Sequence, residues 1–356
     1  MWLKAESRIN DIETRTMEVR RLIPETVGRW EAFVEHCPEA TFFHRSGWKN
    51  VIEQAFGHQT YFLYAEKEGE IEGVLPLGHI RSRLFGNALI STPFCVYGGI
   101  AAVSQAARTA LEKAAEELAV QLNVDYLEFR NRSHSQTHWP VKELYVTFRK
   151  TMDPDPEKNL QAIPRKQRAM VRKGIQAGLV SEIDDNPERF IAAYSESVRN
   201  LGTPVFPRKY FQIIGKEFGN DCEMLTVTKG GRTISSVLSF YFRDEVLPYY
   251  GGGTEEARRF KGNDFMYWEL MRLACTRGIR IFDYGRSKKG TGSYSFKKNW
   301  GFEPEPLFYQ YRLVKADKMP DINPLNPKYR LFIALWKRLP LPVANIIGPQ
   351  IAKNLG

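Results

Sequence analysis

Phe282-Asp283-Tyr284-Gly285-Arg286-Ser287-Lys288-Lys289-Gly290-Thr291-Gly292-Ser293-Tyr294-Ser295-Phe296-Lys297-Lys298-Asn299-Trp300-Gly301-Phe302 is the most informative stretch of the chain. Between Arg286 and Lys298 it carries Arg286, Lys288, Lys289, Lys297 and Lys298 and no acid. Gly285, Gly290 and Gly292 allow a closely looped backbone, and the loop leaves the end of an apolar strand, where α/β folds build sites. Cations beside exposed N–H groups hold phosphate or stabilise an oxyanion. Tyr294, Phe296 and Trp300 argue for an ordered segment, because a purely solvated loop has little use for three aromatics.

The strand that feeds this segment, Ile279 to Tyr284, closes a pattern that occurs twice. Tyr61 to Ala65, a turn at Glu68-Gly69-Glu70 and Ile71 to Ile80 read as a hairpin; Met224 to Thr228, Gly230-Gly231 and Ile234 to Phe242 read the same way. Tyr97-Gly98-Gly99, a helix through Leu111 and Leu118, and the strand Val124 to Phe129 follow the first hairpin. Tyr250-Gly251-Gly252, a helix through Trp268 and Leu273, and the strand to Tyr284 follow the second. So long a period excludes a solenoid and implies two copies of one α/β domain, residues 17–150 and 151–314, with a basic and apolar tail at 315–356. Each copy opens with helices: one through Trp30 and Phe33 after Pro24, and one through Trp48, Val51 and Ile52 after Ser46, then Pro164 to Gln176, Pro187 to Val198 and Pro207 to Phe218. The expected architecture is α/β, with mixed sheets covered on both faces.

Composition narrows the function. Hydrophobic residues make up 43% of the chain and charged residues 26%, which excludes a largely disordered protein. The net charge of +10 suits an anionic partner. Cys37, Cys95, Cys222 and Cys275 are far apart, which argues for reduced thiols and against a disulfide scaffold or zinc ribbon. Met1 to Met17 is too polar for a signal peptide, and no run of apolar residues is long enough to span a membrane. A cytoplasmic protein is expected, lying at most peripherally on the inner face of the membrane. The six histidines, His134 and His138 included, show no metal spacing, so no metal is expected. Neither a G-x-S-x-G elbow nor a P-loop is present, which disfavours a covalent hydrolase and an ATPase. A transferase that aligns two substrates and stabilises developing charge remains.

Other residues fit that chemistry. Arg165, Arg168 and Arg172 share one helix face and can steer a polyanion, or form an ordinary solvated face. Asp283 and Glu128 hold matching strand positions; each can orient an amine or serve as a structural hydrogen-bond partner. In the tail, Leu331 to Trp336 is an apolar block among Lys328, Arg330, Lys337, Arg338 and Lys353. It reads either as an interfacial membrane helix or as a helix that packs on the first domain.

The chain resembles the FemAB family of tRNA-dependent peptidyltransferases, which consist of two GNAT-like domains. The resemblance rests on Trp48 before Phe56-Gly57, on Tyr250 to Thr254 with Asn263 and Tyr267-Trp268-Glu269, and on Gly292 to Lys298 with Gly301-Phe302, similar to the family's Y-x-F-K-x-x-[FW]-G signature. It is nearest to a subgroup associated with exopolysaccharide and PEP-CTERM/exosortase loci, and also resembles a BioF2-like acetyltransferase grouping. The resemblance implies transfer of an aminoacyl or acyl group to an amine of a cell-envelope, peptidoglycan or exopolysaccharide precursor, without a covalent enzyme intermediate. No permanently bound cofactor is implied; the acyl donor would be aminoacyl-tRNA or acyl-CoA. In this reading Lys297 contacts the donor and supports the oxyanion, with Phe296 beside the reacting carbonyl. Arg286 and Lys289 hold phosphates, Asp283 orients the acceptor amine, Tyr250 lines the cleft and Trp48 is a further substrate-binding candidate. The helical-hairpin insertion that some members carry is missing. An ordinary acyl-CoA enzyme is the alternative, and Arg259 to Asp264 matches its [RQ]-x-x-G-x-[GA] turn except for Asp264 in the second small position. A non-catalytic, membrane-associated scaffold is the alternative of another class.

Overall fold

The computed structural model describes residues 16–82, 86–133, 138–320 and 327–356, with 327–329 described by their backbone only. The readings at Met1 to Arg15 and at His134 lie outside the described residues. Contacts divide the chain into two units, 1–142 with 308–319 and 356, and 143–307 with 320–355.

In the first unit, β1 (Glu18–Arg21) is followed by helices α1 (Val27–His36) and α2 (Gly47–Phe56) and by the hairpin of β2 (Gln59–Lys67) and β3 (Glu70–Ser82). Glu68 and Gly69 both take positive φ (53° and 85°), the two-residue turn whose twist matches its strands. β4 (Gly86–Ser91), β5 (Ala101–Ala102), helix α3 (Gln105–Gln121), β6 (Tyr126–Asn131) and β7 (Val141–Lys142) complete this part of the chain. Ser104 caps α3 by accepting from the Ala107 N–H. Ala107, Leu111, Ala115 and Leu118 then lie one turn apart on one face and bury against Leu63, Leu75 and Leu127. β4 and β6 pair in parallel, joined by the crossover through α3.

The second unit repeats this order. After β8 (Tyr145–Thr151) come α4 (Pro156–Ala162), α5 (Arg165–Gln176), β9 (Val180–Asp184), α6 (Glu188–Leu201) and α7 (Arg208–Phe218). The hairpin of β10 (Cys222–Lys229) and β11 (Arg232–Phe242) turns at Gly230 and Gly231, both at positive φ, and leads to β12 (Glu245–Gly253). Helices α8 (Glu255–Phe260) and α9 (Gly262–Thr276) carry the chain to β13 (Ile281–Asp283), which pairs in parallel with β12. β14 (Ser287–Lys288), α10 (Gly292–Asn299) and β15 (Pro304–Pro306) follow. Phe265, Trp268, Leu270 and Ala274 of α9 pack on Val227, Val237 and Val246. Each large side chain buried there contributes about 1.5–3 kcal/mol.

The division differs from the expected break at residue 150. β8 pairs with β13 in the second sheet, whereas the last strand, β16 (Phe308–Leu313), pairs with β6 in the first. Each sheet therefore takes an antiparallel strand from the other copy's stretch of sequence. The order β2-β3-β4-β6-β16 matches β10-β11-β12-β13-β8. The landmark Tyr-Gly-Gly is less symmetric: Tyr250-Gly251-Gly252 lies within β12, whereas Tyr97-Gly98-Gly99 lies in the irregular stretch before β5.

The tail forms α11 (Pro327–Trp336) and α12 (Leu341–Ala352) and groups with the second unit rather than the first. Arg199 Nη1 donates to the Leu339 carbonyl (3.2 Å). A Cβ on Gly202 would lie 2.5 Å from Ile333 Cγ2, and one on Gly348 would lie 2.9 Å from the Val205 nitrogen. This close fit along α6 is why the tail packs where it does.

Candidate active site

Residues 281–289 run along β8. Asp283 lies opposite Arg149, the Tyr284 N–H donates to the Phe148 carbonyl (2.8 Å), and Ser287 lies opposite Val146. Between Tyr284 and Ser287 this strand has one residue more than β8, so it bulges at Gly285-Arg286. Gly285 takes φ +67°, which favours glycine. Its N–H donates to Asp283 Oδ1 (2.7 Å), which also accepts from Thr147 Oγ1 (3.1 Å). Asp283 Oδ2 faces Arg149 Nε at 3.3 Å, and Arg149 also pairs with Glu245. The carboxylate is fully buried with both oxygens engaged, so its contacts are those of a group that shapes the bulge. Its counterpart Glu128 is likewise buried and paired, with Arg130 at 2.8 Å.

The bulge turns the Gly285 and Arg286 carbonyls towards Lys297, whose Nζ donates to both at 2.9 and 3.1 Å. Lys297 is only 9% exposed, with its Nζ 5.6 Å from the Phe148 ring centre and 6.0 Å from that of Tyr284. Burial lowers its pKa to about 7; Asp283 opposes the shift and Arg286 adds to it. Lys297 is held there by α10, a helix within the segment whose three aromatics marked it as ordered. Thr291 caps α10 by accepting from the Tyr294 N–H, and Trp300, just beyond its end, is fully buried. The Trp300 Nε1–H donates to Asp264 Oδ1 (3.3 Å), which also accepts from Gln167.

Above β13 the sheet opens. β12 and β13 pair only at Glu245–Ile281 and Val246–Phe282, and β12 then runs on to Gly253. A side chain on Gly252 would strike Ser197 of α6, and one on Gly253 would strike Ala257 and Asn263, so glycine lets helices close on both faces of this strand. Tyr267 Oη lies 3.3 Å from where a Cβ on Gly251 would stand. The Tyr267 ring is 4.9 Å from Tyr284, which faces Lys297. These contacts link the splayed part of β12 to the lysine.

The other candidates are dispersed. Arg286 stacks on Tyr145 (4.7 Å) and Lys288 lies 5.6 Å from the same ring, while Lys289 and Lys298 are exposed. Phe296 is half-buried against Tyr267 and Trp300. Arg165 and Arg172 of α5 are exposed, and Arg168 donates to the Gln161 carbonyl (2.7 Å). Tyr250 is buried among Tyr194, Phe206 and Phe211, its hydroxyl 2.8 Å from that of Tyr210, and presents no open cleft wall. Trp48 is fully buried in the first unit, donating to the Phe42 carbonyl (3.2 Å) and packed on Phe42 and Phe43, which makes it a core residue. An open groove of about 680 Å³ between β9, β10 and α7 holds none of the expected site residues. Sequence reading missed Tyr145, Thr147 and Arg149; their alternation along β8 is the signal that could have found them.

The low lysine pKa links to stability. Between about pH 7 and the ordinary lysine range, the unfolded chain holds a proton on Lys297 that the folded chain has released. The protein should therefore gain up to about 1.4 kcal/mol per pH unit relative to Lys297→Met as the pH rises through that window. Denaturant unfolding of the two proteins at several pH values measures this, and a pH-independent difference contradicts it.

Residues 158–298 match the sequence profile of the family described as an acetyltransferase (GNAT) domain. The second unit carries an acyltransferase domain. No curated protein matches the chain by sequence. In fold, the chain is similar to FemX (16% identity over 89% of this chain and 100% of that one, TM-score 0.68). It is also similar to the tandem GNAT protein from the clavulanic acid biosynthesis pathway (13%, 84% and 98%, TM-score 0.52). A third similarity is to the C-terminal DUF2156 domain of a protein named as a lysylphosphatidylglycerol synthetase from Agrobacterium fabrum (12%, 82% and 92%, TM-score 0.55). The two mixed sheets are thus GNAT-like. Among the described residues no helix is long and apolar enough to cross a membrane.

Proposed function

We propose that the second unit transfers an aminoacyl group from aminoacyl-tRNA to an amine of a cell-envelope or exopolysaccharide precursor, with Lys297 at the reacting carbonyl. The observation that carries this reading is a buried amine anchored on the Gly285 and Arg286 carbonyls at the end of β13, beside the splayed β12. As the acceptor nitrogen bonds to the acyl carbon, negative charge develops on the carbonyl oxygen, and the Lys297 ammonium stabilises it. The carbon–oxygen bond to the carrier then breaks, and the proton lost by the amine ends on the departing hydroxyl. The Tyr284 and Ser287 hydroxyls, buried without a hydrogen-bond partner, are available to a bound group. Arg286, Lys289 and the α5 arginines Arg165, Arg168 and Arg172 supply positive charge for the carrier. Similarity in fold to FemX supports the reading, as does the resemblance of the Gly292–Phe302 segment to the FemAB signature; acceptors of the PEP-CTERM-associated kind come from that resemblance alone.

The choice of tRNA over coenzyme A rests on Asp264. In the turn that would meet a pyrophosphate, Lys261 takes φ +60° and α9 starts at Gly262, but the first turn carries this half-buried carboxylate. An acid in the first turn places negative charge where the pyrophosphate would sit and so opposes its binding. The family profile, described as an acetyltransferase, favours the acyl-CoA reading instead. Calorimetric titration separates them: charged tRNA should bind and acetyl-CoA should not. Replacing Arg165, Arg168 and Arg172 by glutamine should flatten the salt dependence of tRNA binding by a log–log slope of about 2. Binding of acetyl-CoA without tRNA would overturn the choice of donor.

A further inference from the structure

Six of the fourteen large hydrophobic side chains that stand exposed among the described residues lie between Leu331 and Ile347. On α11, Leu331 is 70% and Leu335 55% exposed, one turn apart, while Trp336 is buried. On α12, Ile346 is 75% and Ile347 42% exposed, with Val343 beside them, while Ala344, Gly348 and Ala352 bury the opposite face. Leu201, 67% exposed at the end of α6, adjoins Gly202, which touches Ile333. A helix pair that needs only to pack on α6 gains nothing by turning apolar residues to water; an isolated exposed leucine is ordinary, whereas exposed apolar residues gathered on two successive helices mark a surface to be covered. Arg330, Lys337, Arg338 and Lys353 are interspersed with the cluster, and residues 327–356 contain no acid. Exposed apolar side chains on helices that carry cations and no acid are complementary to a bilayer with anionic headgroups.

We propose that the outward faces of α11 and α12 lie on an anionic lipid surface, with Leu331, Leu335, Ile346 and Ile347 among the acyl chains and the flanking cations at the headgroups. Both helices are too short to span a bilayer, so the contact is interfacial. This proposal is independent of the chemistry at Lys297. Its test is cosedimentation of the full chain with phosphatidylglycerol/phosphatidylcholine vesicles, compared with phosphatidylcholine alone. Wild type should partition onto the anionic vesicles only. The partition coefficient should fall about 10²-fold in a triple Arg330→Gln, Lys337→Gln, Arg338→Gln variant and to background in Leu335→Glu with Ile346→Glu. Circular dichroism and donor binding should match wild type in both variants. Absence of wild type from anionic vesicles, or equal partition of wild type and variants, overturns the proposal. A dimer in solution that the glutamate substitutions dissociate also overturns it, by assigning the face to a second copy.

Discussion

Lys297→Ala is expected to lower turnover about 10²–10³-fold, the usual cost of one oxyanion donor, while the second unit stays folded. The fold tolerates the change because the lysine is held against its preference for water: burial brings its pKa to about 7, so alanine removes a strained group along with two hydrogen bonds. Donor binding should change little, since the phosphate-facing charge assigned to Arg286 and the α5 arginines remains. A loss confined to turnover is the signature of an interaction made mainly in the transition state. Single-turnover acyl transfer with the calorimetrically identified donor measures it, and wild-type turnover in the variant rejects the role.

Asp283→Ala is expected to destabilise the second unit by about 3 kcal/mol, because it strips a fully buried, charge-paired carboxylate from Arg149 and orphans the Thr147 hydroxyl and the Gly285 N–H. Asp283→Asn keeps an acceptor at Oδ1 and should cost less. These variants separate two roles for the residue. A carboxylate that takes a proton from the acceptor amine cannot be replaced by an amide, whereas one that positions the bulge can. If Asp283 positions the bulge and supplies field to Lys297, the lysine of the asparagine variant loses its proton at lower pH because a charge favouring the ammonium is gone, and the variant keeps most of its turnover below that shifted inflection. Urea unfolding and pH profiles of both variants check this; an inactive, fully stable Asp283→Asn would return the residue to proton transfer.

Much of the architecture was legible locally. Two-residue turns at Glu68-Gly69 and Gly230-Gly231 demand positive φ, so hairpins could be read there, and their recurrence exposed the duplication. The exchange of β8 and β16 was not legible, since an alternating strand looks the same whichever sheet it joins. Helix α10 was obscured by Gly290, Gly292, Ser293 and Ser295, weak helix formers; its sign was Thr291 in the capping position. Lys297 stood out in its motif, but its partners are backbone carbonyls, which no side-chain pattern announces. Asp283 was visible and its role was not, because Thr147 and Arg149 meet it from 136 and 134 residues away. Tyr250 and Trp48 sit in recognisable motifs, yet their rings are spent on packing.

The pH dependence of single-turnover transfer to methoxyamine, an acceptor that stays neutral from about pH 6 to 9, tests the Lys297 role most directly. If the lysine ammonium supports the oxyanion, the rate above background falls as the pH rises through about 7, and the inflection moves lower in Asp283→Asn. A rate that climbs through the same interval, or one with no inflection there, contradicts it.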